Sequence, residues 1–163
     1  MRAVTLSVLA SSVLLFAGCN GSNLGTFDPG TLSTDPASAT YATALNVNIS
    51  SMTMTADSLY YKDLAVGTGA TATAGYTARV AYTGWLINGT KFDTSDGRTP
   101  PYFEFLINTG AVIKGWDKGI PGMKVGGKRQ LVIPPGLAYG GSGTGTVPGN
   151  AILVFEVTLL QVR

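Results

Sequence analysis

The chain has 163 residues, of which 12% are charged, with 22 glycines, one cysteine and no histidine. Those counts exclude imidazole acid–base catalysis, Ser-His and Cys-His dyads, a zinc cluster and an internal disulfide. A formal net charge of +2 speaks against nucleic acid as a partner, and the length allows one domain with an appendage.

The chain begins with a basic residue, Arg2, and an apolar or small stretch from Ala3 to Ala17. This stretch is too short to span a bilayer as a permanent helix, which takes about 20 apolar residues. A basic start, an apolar middle and a small-residue end predict an export signal over 1–18. Its end, Phe16-Ala17-Gly18-Cys19, resembles a bacterial lipobox, in which the thiol is lipid-modified and becomes the mature N-terminus. An ordinary signal peptide with an incidental Cys19 is the alternative. A lipid on Cys19 anchors a protein to a membrane without spanning it. Asn20 at the next position favours the outer membrane, by analogy with the sorting pattern of enteric bacteria.

Residues 19–56 are rich in Ser, Thr, Ala, Asn and Gly, with Pro29 and Pro36, and carry only two charges, Asp28 and Asp35. Such a composition buries too little apolar surface to offset ordering entropy, which predicts a flexible tether. Leu45-Asn46-Val47-Asn48-Ile49 alternates apolar and polar, so a short docked strand is the alternative to chance alternation in a disordered stretch.

From Asp57 onward the composition changes. Residues 57–163 hold ten of the eleven Lys and Arg residues, and apolar periodicity begins. Strands are predicted at Leu59–Leu64, Tyr76–Ile87, Tyr102–Leu106, Lys128–Ile133 and Ile152–Gln161. In the second of these, Tyr76, Ala78, Val80, Tyr82, Gly84 and Leu86 share one face, the period of two that marks a strand with one buried side. Asn88-Gly89 then predicts a tight hairpin with both turn residues at positive φ, leading into Thr90-Lys91-Phe92. Val112, Ile113, Trp116 and Ile120 lie at helical spacing, and Gly119 and Pro121 would end that helix. Most remaining glycine falls in loops, above all between Tyr139 and Gly149. Strands, one short helix and further strands predict an α+β fold, an antiparallel sheet packed on one helix.

Several segments then occur in a telling order: Tyr82-Thr83-Gly84, Lys91-Phe92-Asp93, Val112-Ile113-Lys114-Gly115-Trp116, Gly126-Gly127-Lys128-Arg129, Ile133-Pro134-Pro135, Leu137-Ala138-Tyr139-Gly140 and Leu153-Val154-Phe155-Glu156-Val157. From about Leu59 to Val162 the set resembles the FKBP-type peptidyl-prolyl cis-trans isomerases. The resemblance implies a five- to six-stranded antiparallel sheet wrapped around one short helix, with a small apolar bowl that takes a proline side chain. It also implies the site residues. Trp116 is the floor, and Tyr82, Phe92, Phe103, Val112, Ile113 and Phe155 are the walls. The Ile113 N–H and the Tyr139 hydroxyl bind substrate carbonyls. Asp93 accepts from Tyr82, pairs with Arg98 and faces the reacting amide, and Val147 closes the rim.

The reaction suits a chain without histidine. Rotation about an X–Pro amide crosses a barrier of about 18–20 kcal/mol and breaks no bond, so it needs no nucleophile, metal or cofactor. Preferential binding of the twisted amide is sufficient. The resemblance implies proline-containing polypeptides and macrolide inhibitors as ligands, and the absence of an appended helix predicts a monomer. Two other functions are alternatives: a module that binds a proline segment through the same walls without turnover, and a general folding helper, a role whose family members usually carry an inserted flap domain or a dimerisation region. Without the family context, Trp116 and Tyr82 read as core aromatics, Asp93 as a turn residue and Arg98 as a surface charge. Phe103, Phe155, Val112 and Ile113 are core-type residues on either reading. Against its relatives the chain has Ala111 where a Glu often stands, Thr146 at a usually apolar wall position, no His in the loop after Tyr139, and one extra residue between Arg98 and Phe103.

Overall fold

The computed structural model describes residues 33–163. Cys19, the expected signal and the first part of the expected tether lie outside the described residues. Seven strands and one helix follow in order: β1 (Thr53–Met54), β2 (Tyr60–Ala65), β3 (Thr77–Leu86), β4 (Lys91–Thr94), β5 (Phe103–Leu106), α1 (Lys114–Gly119), β6 (Lys128–Ile133) and β7 (Leu153–Val162). They form one antiparallel sheet in the order β1-β2-β6-β7-β3-β4. β5 shares an edge of β3 with β4: it pairs with Thr77–Val80, while β4 pairs with Thr83–Trp85. The fold is the α+β class expected, with the two-residue β1 as an addition.

The alternation in β3 is realised in its middle, while Tyr76, expected on the buried face, is 54% exposed ahead of the strand and Leu86 is half-buried. Ala78, Val80, Tyr82 and Gly84 are buried and the residues between them are half-exposed. In β7, Leu153, Phe155, Val157 and Leu159 point to the same core. α1 lies against β6 so closely that only glycine fits at two of its positions. A Cβ at Gly115 would collide with Ile133 Cγ2, and one at Gly119 would sit 2.8 Å from Leu131 Cδ2.

Three local expectations are corrected. The hairpin after β3 has Gly89 at φ +89 but Asn88 at negative φ. Leu86 N donates to Thr90 O and Gly89 N to Leu86 O, both at 2.9 Å. The loop is thus three residues long, a turn closed by one left-handed glycine, in place of a two-residue turn. The helix is shorter than its apolar spacing suggested. Val112 precedes it and Ile113, at ψ 144, is its extended N-cap, so these two residues belong to the approach.

The third correction is the largest. From residue 33 the segment read as a tether lies folded on the outer face of the sheet. Leu45 is 7% exposed and packs with Tyr60, Val132, Ile152 and Val154, flanked by Tyr41, Ala42, Val47, Ile49 and Met52. Residues 45–49 form no strand. Two single 3-10 turns, Thr43–Leu45 and Ile49–Ser51, bracket the left-handed Asn46. Two hydrogen bonds to its backbone tie the segment down: Ala42 N donates to Ile87 O at 2.8 Å, and the buried Gln130 side chain donates from Nε2 to Leu45 O at 2.8 Å. The physical reason lies in β6 and β7. Val132 and Val154 face away from the main core, and a domain of this size gains by covering them.

Candidate active site

At one end of the main core, between α1 and the concave face of the sheet, a cavity of about 400 Å³ opens to solvent. Its floor is Trp116, the third residue of α1, itself 4% exposed. The indole is held by aromatic rings. Tyr82 stands edge-on at 5.0 Å between centroids, Phe155 at 5.4 Å and Phe103 at 6.3 Å, while Phe105 is tilted at 5.7 Å. Such edge-to-face pairs fix ring orientation beyond what area burial alone does. Among the described residues Trp116 Nε1 has no hydrogen-bond partner, and there packing sets the indole's angle. Val112, Ile113 and Phe155 supply apolar wall. Phe103 and Tyr139, each 36% exposed, stand at the rim.

The polar part of the cavity is one connected unit. The Tyr82 hydroxyl donates to Asp93 Oδ2 at 2.7 Å. Asp93 Oδ1 accepts from Arg98 Nη2 and, at 2.9 Å, from the Thr94 N–H. The Arg98 guanidinium also lies 5.7 Å from the centre of the Tyr82 ring. The Asp93 charge is therefore compensated before any ligand arrives. Burial first, and then the Asp93 acceptor, push the Tyr82 phenol well above its ordinary value. Burial, and then the Asp93 charge, raise the Tyr139 phenol. Both hydroxyls therefore keep their protons at neutral pH and can donate.

Tyr82 is pinned from the neighbouring strand. Its N–H donates to Ser95 Oγ at 3.0 Å, and its carbonyl accepts from the Ser95 N–H and from Thr94 Oγ1, both at 3.0 Å. Ser95, 2% exposed, is a positional element that the sequence reading did not identify. It follows Asp93 by two residues, but no periodicity in so short a strand marks it as buried. Ala111 also lines the cavity. In the sequence it marks only a departure from the relatives, and its place in the wall comes from the structure.

Nine of the eleven expected site residues line the cavity: Tyr82, Asp93, Arg98, Phe103, Val112, Ile113, Trp116, Tyr139 and Phe155. Phe92 and Val147 do not. Phe92 stacks edge-on behind Phe155, 5.5 Å away, and the two rings fill the space over Gly84. Val147, 5% exposed, turns into the core, where its backbone exchanges two bonds with Thr144 at 2.8 and 2.9 Å. A second cavity of about 440 Å³, between residues 34–36 and 134–137, contains no aromatic side chain. Among the described residues no group of three His, Cys, Asp or Glu is placed to hold a metal ion.

Comparison with known proteins agrees with this geometry. The family described as FKBP-type peptidyl-prolyl cis-trans isomerase matches residues 69–160. An FK506-binding protein of Neisseria meningitidis serogroup A is 51% identical over 106 residues, which are 64% of this chain and 96% of that protein. The FK506-binding protein 2 of Dictyostelium discoideum is 54% identical over 86 residues, 52% of this chain and 64% of that protein. Among solved structures, AtFKBP13 superposes with a TM-score of 0.64 at 36% identity, covering 69% of this chain and 98% of that one. FkpA from Escherichia coli gives 0.63 at 39% identity over 69% of this chain and 51% of that one. Sequence, fold and cavity converge: the chain belongs to the FKBP-type peptidyl-prolyl cis-trans isomerases.

Proposed function

We propose that this protein accelerates rotation about X–Pro bonds of exported polypeptides by binding the twisted amide in the cavity floored by Trp116. The observation that carries this reading is the pairing of an aromatic bowl with a single, internally neutralised polar unit. A planar amide has a large resonance dipole and is well solvated in water. Twisting it removes resonance and much of that dipole. Transfer from water to an apolar wall therefore favours the twisted form over the planar one, which is the condition for catalysis. Trp116, Phe103, Val112 and Phe155 provide that wall, with Trp116 against the proline ring. The Ile113 N–H and the Tyr139 hydroxyl receive substrate carbonyls and hold the peptide in register. Asp93, fixed by Tyr82 and Arg98, faces the amide without the cost of an unpaired charge. No proton moves and no covalent bond forms.

The test is a proline tetrapeptide assay, in which the uncatalysed cis–trans relaxation takes roughly tens of seconds or more. The protein is expected to shorten it in proportion to its concentration. Trp116→Ala, with far-UV circular dichroism unchanged, is expected to slow catalysis at least about tenfold, the effect of about 1.4 kcal/mol in the transition state. A rate no higher than background would leave a proline-binding module without turnover. The relatives' name, FK506-binding protein, supports a macrolide as inhibitor, and its addition to the same assay is expected to abolish the catalysed phase.

The remaining expectations rest on sequence. Phe16-Ala17-Gly18-Cys19 behind an apolar stretch supports export and lipid attachment at Cys19, which would place the enzyme at the bacterial envelope. Intact mass spectrometry of protein from membranes tests this. The expected product starts at a diacylated Cys19, and Cys19→Ala abolishes the lipid mass. The protein is expected to be monomeric, as light scattering would show.

A further inference from the structure

Asp117 is a buried carboxylate that the isomerisation chemistry leaves unused. It lies in α1 directly after Trp116 and is 8% exposed. It takes part in none of the ion pairs among the described residues. Both its oxygens are occupied by backbone. Oδ1 accepts from the Asn108 N–H at 2.7 Å, and Oδ2 accepts from the Gly110 N–H at 2.8 Å. These amides belong to the turn that leads from β5 to Ala111, Val112 and Ile113, three residues of the cavity wall. Asn108 at φ +62 and Gly110 at φ +75 are both left-handed, the conformation that Gly adopts freely and Asn tolerates better than most residues, so the turn suits its sequence and its two amides converge on one carboxylate.

The other end of the same segment is tied to the same residue. The Asp117 N–H donates to Ile113 O at 3.3 Å, and the Trp116 N–H to the same oxygen at 2.9 Å. The wall is therefore closed into a ring, with Asp117 gripping it before Ala111 and after Val112. Inside that ring the Ile113 N–H has no acceptor among the described residues. Bonds from amides to a carboxylate are shorter and stronger than neutral ones, and a donor preset for its acceptor binds without a reorganisation cost. We propose that Asp117 is a positioning residue, which clamps the 108–110 turn so that the free Ile113 N–H is preset for a substrate carbonyl.

The inference rests on the proline-site reading of the cavity, and one measurement separates the two. Dissociation constants are measured for an N-acylproline ester and for the matching ether, in which a methylene replaces the ester carbonyl. The wild type is expected to prefer the ester about tenfold, the contribution of one net hydrogen bond. Asp117→Asn keeps one acceptor and loses the charge. It is expected to reduce that preference to about threefold or less while leaving the ether's affinity nearly unchanged, a coupling of the size double-mutant cycles resolve. An equal loss for both ligands, with the preference intact, overturns the inference, since Asp117 would then serve the fold alone. Should that variant not fold, Gly110→Ala carries the same measurement. A Cβ there meets nothing within 4 Å, so it strains only the left-handed turn. The same fall is expected, and an unchanged preference overturns the proposal. Wild-type protein that binds neither ligand overturns the proline-site reading, and this inference with it.

Discussion

Leu45→Ala tests whether the segment ahead of β1 is an integral layer of the fold. Leu45 is 7% exposed, and its neighbours Val132, Val154 and Ile152 are 0–2% exposed, so the side chain closes the outer face of the sheet. Truncating a buried Leu to Ala costs about 2–5 kcal/mol, with the low end where surroundings can settle into the space. A surface layer anchored by single turns can settle, which sets the expectation at about 2–3 kcal/mol. With a urea dependence of about 1.5 kcal/mol/M, the unfolding midpoint falls by about 1.3–2 M. Met54→Ala is the control: Met54 is 58% exposed, and its loss is expected to cost less than about 0.5 kcal/mol. Catalysis at 10 °C is expected to be unchanged, because Val132 and Val154 face away from the cavity while Leu131 and Phe155 face the core beneath it. A Leu45→Ala midpoint within about 0.3 M of the wild type would refute the reasoning and return residues 33–56 to the status of a tether.

Gly115→Ala drives a methyl into Ile133 Cγ2, so a loss of about 1–3 kcal/mol by urea titration is expected, with weaker proline binding as α1 and Trp116 are displaced. Arg129, 6% exposed, holds Asp63 through two bonds of 2.7 and 3.0 Å and Gly119 O at 2.8 Å. Arg129→Ala is expected to cost about 2–3 kcal/mol, at or below the lower end for a buried pair, because Asp63 can rehydrate. The phenols of Tyr41, Tyr82 and Tyr139 are all raised from their ordinary 10.0, in each case chiefly by burial. The native state thus holds these protons more tightly than the unfolded chain does. Stability is expected to be level below about pH 10 and to fall as pH rises beyond it, and equal urea midpoints at pH 8 and pH 10.5 would contradict this.

What the sequence made legible depended on period. The alternation from Thr77 to Trp85 placed β3 and the orientation of Tyr82, because a two-residue period admits one buried face. Phe92 and Val147 show where the reasoning ends. Motif order puts them near the site, but whether a ring lines a cavity or stands behind another ring is decided by tertiary packing. Phe155 reaches the bowl and Phe92 fills the space over Gly84 because β4 and β7 flank β3 on opposite sides. The helix starts later than its apolar spacing predicts for a related reason. Val112 and Ile113 continue the apolar spacing of α1, yet their task is to form wall, and an extended Ile113 leaves its N–H out of any helical bond.

The outer layer was the harder case, and its cue lay in β6 and β7 rather than in the segment itself. Leu131-Val132-Ile133 and Ile152-Leu153-Val154 are unbroken apolar runs in an antiparallel sheet, where one solvated face would demand alternation. Such runs require cover on both sides, and the main core supplies only one. Residues 39–52 are too few to bury a core of their own, but Leu45 and its flanking residues suffice to complete a surface already formed. This bears on the cavity as well. An apolar bowl left open to solvent forgoes burial at one end of the core, and a small domain has little stability to spare. Closing the opposite face of the same sheet offsets that loss without narrowing the bowl. Weakening the layer should therefore lower the melting temperature well before it alters catalysis.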